Sequence, residues 1–396
     1  MDDSRTLLKT RATEHGRNAF RSRCAVLCAI LLPACAPLAA QQYAISTIAA
    51  GLNNPTSVAV DRAGNVYFSD WSALIRKVWA RDRTISVVAG TGVIGYSGDG
   101  GQATSAGIGK AISLAADGVG NIYIADGDNN RIRFVAAATG IITTVAGTGA
   151  GTDSGDGGPA IDAGVARPTG IALDEAGDLF FSSNWSRLRK LTARTGLIET
   201  VAGQIITSFG GDNGPAADAA FWDPVPGAVD PLGDVYIADF ENSRIRMVTA
   251  GTKIITTVAG SGACALSPPP MSVSVCQGGF GGDGGPAAKA MLNHAQAVAM
   301  DAEGNLYIAD TINHRVRKID ARSGIIYTIA GTGASGFSDS GPATAAEITT
   351  PSGIAVDASG KVYFADEGNG RIRVLTPPRE GHDVPGFFTT RRPFRP

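Results

Sequence analysis

The sequence predicts an all-β protein, a six-bladed β-propeller of four-stranded antiparallel blades closed by the N-terminal strand completing the last blade. Three observations predict it. A phrase of ten or eleven residues occurs six times, the first five repeats carry four strand-like segments each, and the last lacks a fourth segment that the N-terminal region supplies.

The phrase reads "DRAGNVYFSD" (Asp61–Asp70), "DGVGNIYIAD" (Asp117–Asp126), "DEAGDLFFSSN" (Asp174–Asn184), "DPLGDVYIAD" (Asp230–Asp239), "DAEGNLYIAD" (Asp301–Asp310) and "DASGKVYFAD" (Asp357–Asp366). The first aspartates lie 56, 57, 56, 71 and 56 residues apart, so the repeat is one structural unit of constant size with a single insertion. In the fifth unit "AQAVAMD" leads through a Gly turn to "NLYIAD", whose alternation has the period of a strand. "HRVRKID" and "IIYTIAG" complete four strands. Composition agrees: 52 glycines with only 18% charged residues suit short strands and tight turns rather than a helical bundle. A single blade cannot bury both of its faces, so stacking around an axis must supply the core.

Closure follows from the ends. The sixth unit stops after "RIRVLT" without an "IITTVAG" segment, and "YAISTIAAG" (Tyr43–Gly51) matches the missing strand. The propeller is therefore expected to span 41–376. The surplus in the fourth interval falls at about 262–279, "GACALSPPPMSVSVCQGG", between blades four and five. Beyond it, 377–396 has no strand pattern and reads as a mobile C-terminal tail.

The first forty residues read as a secretory signal. Arg17, Arg21 and Arg23 precede the apolar run Cys24–Leu32, and small residues lead to a cut expected after Ala40. Leu32-Pro33-Ala34-Cys35 offers an alternative, a lipobox that would place a lipid on Cys35 and tether the protein to a membrane. Either way the protein is exported, to the periplasm, cell surface or medium. Outside the cytoplasm Cys264 and Cys276 are expected to form one disulfide. The formal net charge of −2 gives no electrostatic footprint for nucleic acid.

Strand direction sorts the connections onto two rims. The "DxxGN" and "TGI" turns share one, and the "ADxxNxR" turns and Gly-rich connections share the other, which is the natural place for a site. A residue present in every blade serves the framework, whereas a residue that breaks the pattern is a candidate for function. Asp126, Asp239, Asp310 and Asp366, with Arg131, Arg244, Arg315 and Arg371 five residues on, are read as a structural network, with Asn184 in the aspartate's place in blade three. The Gly-rich loops "SGDGGQA", "SGDGGPA", "GGDNGPA", "GGDGGPA" and "SDSGPA" carry Asp99, Asp156, Asp212, Asp283 and Asp339. With no lysine or following helix for phosphate and one carboxylate each for calcium, these aspartates are read as structural Asx-type turns.

The breaks in pattern are mostly aromatic. Trp71, Trp185 and Phe240 follow the turn aspartate or its replacement, and Trp222 approaches an inner strand, so these four are the candidate ligand-binding residues. His294 and His314 should face the same rim, with Asp310 nearby, as a candidate metal or proton-transfer cluster. No Gly-x-Ser-x-Gly elbow or Ser/His/Asp set is present, so no catalytic set is assigned.

The phrases "GNxYIADxxNxRIRK" and "GIITTVAGTG…SGDGGPA" resemble NHL repeats over nearly all of residues 43–376, in wording like the bacterial exported type and similar to the teneurin propeller. That resemblance implies a six-bladed propeller serving as a binding or scaffold module for a protein, peptide or glycan. Related folds imply one alternative, a metal-dependent lyase or lactone hydrolase of the gluconolactonase-like propeller type, and a lipid on Cys35 would favour another, a cell-surface adhesion protein. Peptide-amidating lyases of similar fold hold zinc with three histidines, and this propeller retains two. No cofactor is expected, a divalent metal being the alternative, and a monomer is expected.

Overall fold

The computed structural model describes residues 42–110, 113–266, 274–339 and 341–378. Residues 1–40, where an export signal is expected, Cys35 among them, and all but the first two residues of the expected tail lie outside them. Six four-stranded antiparallel sheets form the blades, and a two-stranded hairpin stands apart from them. Blade one comprises Ser57–Val60, Val66–Asp70, Leu74–Val78 and Ile85–Ala89 from the axis outward, and blades two to five repeat it. Blade six takes Pro351–Val356, Val362–Asp366 and Arg371–Thr376 from the end of the propeller and its outer strand, Ala44–Ala50, from the beginning. Each inner strand touches the inner strands of both neighbouring blades, and that of blade six returns to that of blade one. The ring is closed.

Burial explains the stacking. The apolar residues gather into six clusters, each formed between two adjacent blades. Ile75, Ile122 and Ile124 belong to the cluster between blades one and two, and Val58, Phe68 and Tyr363 to the one that closes the ring. Every blade thus buries both faces against its neighbours, as period-two strands with two apolar faces require.

The polar framework depends on one buried arginine in each of blades two to six: Arg133, Arg189, Arg246, Arg317 and Arg373, all nearly or wholly inaccessible. Arg246 shows the arrangement. Its guanidinium lies 3.3 Å from the buried turn carboxylate of Asp239 and 2.7 Å from Asp212 of the preceding Gly-rich loop. It also donates to the carbonyls of Ala220 and Gly210, each at 2.8 Å. The loop aspartate in turn accepts from a threonine of the outer strand, as in Thr257 to Asp212 at 2.6 Å. Thr47 does the same for Asp339 at 2.7 Å, so the N-terminal strand fills the outer place of blade six down to its side-chain bonds. Each loop is therefore pinned onto the blade it leads into.

This corrects two expectations. The arginine facing the turn aspartate is the second of each "RIR" phrase, not the first. The two arginines, two residues apart, share one face of the third strand, and the β-bulge beside them lies in the fourth strand, whose extra residue is Val145 in blade two and Val258 in blade four. The first arginine instead caps carbonyls and stacks on an aromatic residue at the mouth of the loop: Arg131 on Tyr96 at 3.7 Å, Arg244 on Phe209, Arg315 on Phe280 and Arg371 on Phe337. The loop aspartates, likewise, accept bonds from the blade's arginine and threonine rather than acting as local Asx turns. Gly98 and Gly211 permit this loop shape: both sit at positive φ, and a Cβ on either would lie 2.7 Å from the Cα of Ala106 or Ala219.

Blade three departs from its siblings in two coupled places. The strand register puts Ser183, not Asn184, where the turn aspartate belongs. The missing carboxylate arrives from the loop, where Asp153 replaces the aromatic residue. Asp153 bonds the Ser183 hydroxyl, accepts from the Ala166 N–H at 3.1 Å and lies 3.6 Å from Arg187. The same N–H is served in blade two by Asp126, which accepts from Gly109 at 2.8 Å. Blade one, with no Gly-rich loop before it, keeps Arg76 on Asp70 at 2.7 Å and leaves that arginine partly exposed.

The hairpin of the insertion pairs Cys264–Leu266 with Ser274–Cys276, and the two cysteines face each other across it in a disulfide.

Two stability measurements follow. Arg246→Ala leaves Asp239 buried without its cation and should lower unfolding free energy by about 3–5 kcal/mol in denaturant titration. Asp153→Phe alone should destabilise blade three, whereas Asp153→Phe with Ser183→Asp restores the sibling pattern and should recover most of the loss. A double variant no more stable than the single would show that the two positions are not coupled.

Candidate functional site

The six inner strands line an axial channel with a cavity of 280 Å³. Thr56, Thr169, Gln296 and Ser352 stand at the end nearest the Gly-rich rim, and Val60, Leu173, Val229, Met300 and Val356 at the other. The channel is polar at one mouth and apolar at the far end.

Just before each inner strand lies one equivalent position, occupied in blade order by Asn54, Lys110, Arg167, Asp223, His294 and Thr350. Five of the six hold a left-handed backbone, with φ of 47°, 39°, 55°, 50° and 46° for Asn54, Arg167, Asp223, His294 and Thr350. For residues with a Cβ this conformation costs roughly 1–2 kcal/mol each, and such strain concentrates at functional sites. Sequence reasoning missed this ring apart from His294. The signal was there, one residue before Pro55, Pro168, Pro224 and Pro351 and before Ala111 and Ala295, once the repeats are aligned on their inner strands.

The expected aromatic residues surround this ring. Trp71 and Trp185 are 43% and 44% exposed, while Trp222 and Phe240 are half-buried. The register places Trp185 two residues after Ser183, so it stands one step further along the turn than Trp71 does after Asp70. Lys110 lies with its ammonium 4.9 Å from the Trp71 ring, and Arg167 holds its guanidinium 5.2 Å from Trp185. Phe240 meets the His294 imidazole edge-on at 5.2 Å.

The histidines do not converge. His294 reaches back to blade four, with Nε2 3.3 Å from Glu241 and its backbone N–H donated to the Ser243 hydroxyl. His314 faces blade six, where its Nδ1 accepts the Thr350 N–H at 3.0 Å. Burial and Arg315 push its pKa down, which suits an acceptor. Asp310 is fully buried and engaged by Asn313, the Asn293 N–H and Arg317. The two histidines thus sit at successive blade junctions, with Asp310 in the framework. Among the described residues, no group of three His, Cys, Asp or Glu side chains is placed to hold a metal ion.

The mouth is electrically uneven. Lys110 and Arg167 stand at blades two and three, whereas Asp223, Glu241 and Glu367 stand at blades four and six. Burial raises the Asp223 carboxyl to about 6, aided by Glu241 and opposed by its bond from Thr169 and by Arg167. Burial also raises Glu367, against a bond from Ser352.

Known proteins agree with this architecture. The NHL repeat family model matches residues 221–246 and 292–319. NHL repeat-containing protein 2 of Homo sapiens is 26% identical over 278 residues, 64% of this chain and 37% of that protein. Teneurin-4 of Homo sapiens is 29% identical over 306 residues, 66% of this chain and 10% of its own length. The chain therefore spans well under two thirds of either relative. Among solved structures, an auxiliary nutrient binding protein from Bacteroides ovatus superposes with a TM-score of 0.59 at 15% identity, covering 86% of this chain and 78% of that one. A gluconolactonase from Xanthomonas campestris gives 0.54 at 13%, covering 87% and 93%. At these identities the structures show a shared fold alone.

The raised Asp223 pKa has a measurable consequence. A carboxyl that binds its proton more tightly when folded makes stability fall as pH rises from about 4 through about 6, since the folded state then holds more protons than the unfolded. Asp223→Asn should therefore stabilise the protein at pH 7–8, on the order of 1 kcal/mol, and lose that advantage by pH 4. Thermal melts across this range test it; a pH-independent difference would contradict the shifted carboxyl. With its closed ring of six blades, the chain is a six-bladed β-propeller that carries NHL repeats at residues 221–246 and 292–319.

Proposed function

We propose that the protein is an exported, non-catalytic binding module that takes its ligand at the channel mouth on the Gly-rich rim. One observation carries this reading. On a rim where five of the six blades repeat a buried arginine held by the aspartate of a Gly-rich loop, the six positions around the mouth hold six different polar side chains, five of them in a strained backbone conformation. A framework position repeats because each blade needs it, and strain in unlike residues is retained where a particular side chain must be presented. Trp71 and Trp185 add exposed, rigid contact area beside them. The leader of residues 1–40 and the Cys264–Cys276 disulfide support export, and an auxiliary nutrient binding protein among the fold's neighbours accords with a binding role. Of the ligand classes considered, a protein, peptide or glycan, the mouth favours a polar one.

Labelled full-length protein on glycan and peptide arrays should give hits that vanish in Arg167→Ala and Asp223→Ala. Glu303→Ala on the opposite rim should leave them unchanged. Hits indifferent to both mouth variants would overturn the assignment. Stoichiometric metal in the purified protein, by elemental analysis, would favour the lyase or lactonase alternative instead.

A further inference from the structure

The mouth is not merely polar; its charges and aromatic residues are sorted. We infer that it takes an acidic saccharide, with the carboxylate of a uronate-type unit between Lys110 and Arg167 and its sugar rings against Trp71 and Trp185. This rests on the mouth being the binding site.

The two cations occupy the same position in adjacent blades, and each lies against an exposed indole. Among the described residues neither forms an ion pair. Two carboxylates come near, and both are turned elsewhere. Asp128 accepts the backbone N–H of Lys110 at 3.1 Å, and Asp223 accepts the Thr169 hydroxyl at 3.1 Å. The position after the turn aspartate, which carries Trp71 in blade one, Phe240 in blade four and Glu367 in blade six, is Gly127 in blade two. That position therefore adds no side chain beside the two cations, and the residues after it, Asp128 and Asn130, bond the backbones of Lys110 and Arg167 and not their charged ends. Two cations on adjacent blades match a carboxylate, and Arg can hold both of its oxygens.

A saccharide suits the remainder of the ring better than a peptide does. Pyranose faces present C–H groups that lie flat on an indole, while their hydroxyls need donors and acceptors in many directions. Asn54 and Thr350 stand in the ring, with Thr56, Gln296 and Ser352 just below. Glu241 and Glu367, further round the ring, are acceptors for sugar hydroxyls, a role carboxylates perform well and that a second anionic ligand group would not welcome. One common way for an extended peptide to bind is to add to a free strand edge, and at this mouth the inner strands are packed against one another around the channel. The ligand's carboxylate is thereby directed to blades two and three and its neutral rings across the opening.

Isothermal titration of the full chain compares trigalacturonate, cellotriose and triglutamate. Trigalacturonate should bind, and cellotriose should bind at least tenfold more weakly. The double variant Lys110→Ala/Arg167→Ala, checked for an unchanged melting temperature, should weaken trigalacturonate at least tenfold, and so should Trp185→Phe and Trp71→Phe together to a lesser degree. Raised salt should weaken binding in the wild type far more than in the double cation variant. No heat with trigalacturonate, or binding undiminished in the cation variant, overturns the inference. Triglutamate bound in preference, and lost in the same variant, also overturns it while leaving the mouth as the binding site. If array hits ignore the mouth variants, the broader reading fails first.

Discussion

A guanidinium buried between two carboxylates is the interaction on which the rest of this propeller depends. Removing an arginine from water is costly unless its charge and all its donors are met, and in blades two to six the partners come from different parts of the chain. In blades two, four, five and six one aspartate closes the turn after the second strand, and the other arrives on the Gly-rich loop from the preceding blade. The loop carbonyls complete the set, as Gly210 and Ala220 do around Arg246. A loop bound in this way cannot swing, so the position of each blade relative to the one before it is set by a charged contact as well as by apolar burial. Desolvation makes the arrangement all-or-none: with either aspartate absent, the arginine would be better off in water.

Blade three shows how strict that requirement is. Its turn aspartate is Ser183, and its loop has exchanged an aromatic residue for Asp153. The carboxylate has moved from one segment to another but stays near the same arginine and the same backbone N–H. The aromatic stacking that Arg131, Arg244, Arg315 and Arg371 enjoy is given up there, with Arg187 beside Asp153 in its place. Ring closure obeys the same rule, since Thr47 reproduces for Asp339 the bond that Thr257 makes to Asp212.

Once this framework is subtracted, what remains on the rim is the mouth. The repeated residues account for turns, clamps and loop anchoring, and they leave a circle of unlike side chains with two exposed tryptophans beside it. Function in such a fold is separable from stability in a way that a compact enzyme core rarely allows. The mouth residues hang from the starts of strands whose geometry is held from behind by the clamps. They can differ from blade to blade without disturbing the ring.

Much of this was legible in the residues themselves. Six copies of one phrase, a missing strand at one end and its match at the other determined blade number, strand order and closure, because each is a matter of counting and periodicity. The Cys264–Cys276 pairing was legible for a similar reason, since two nearby cysteines share one insertion. Only the tertiary structure decided which arginine of each "RIR" meets the aspartate, because the two share one face of the strand and the phrase does not say which of them reaches across. Only it separated His294 from His314, because each reaches to a different neighbouring blade. And only it brought Asn54, Lys110, Arg167, Asp223, His294 and Thr350 into one circle. They lie some 56 to 71 residues apart in sequence, and it is the burial of both faces of every blade, which forces the sheets to radiate from a common axis, that makes them neighbours.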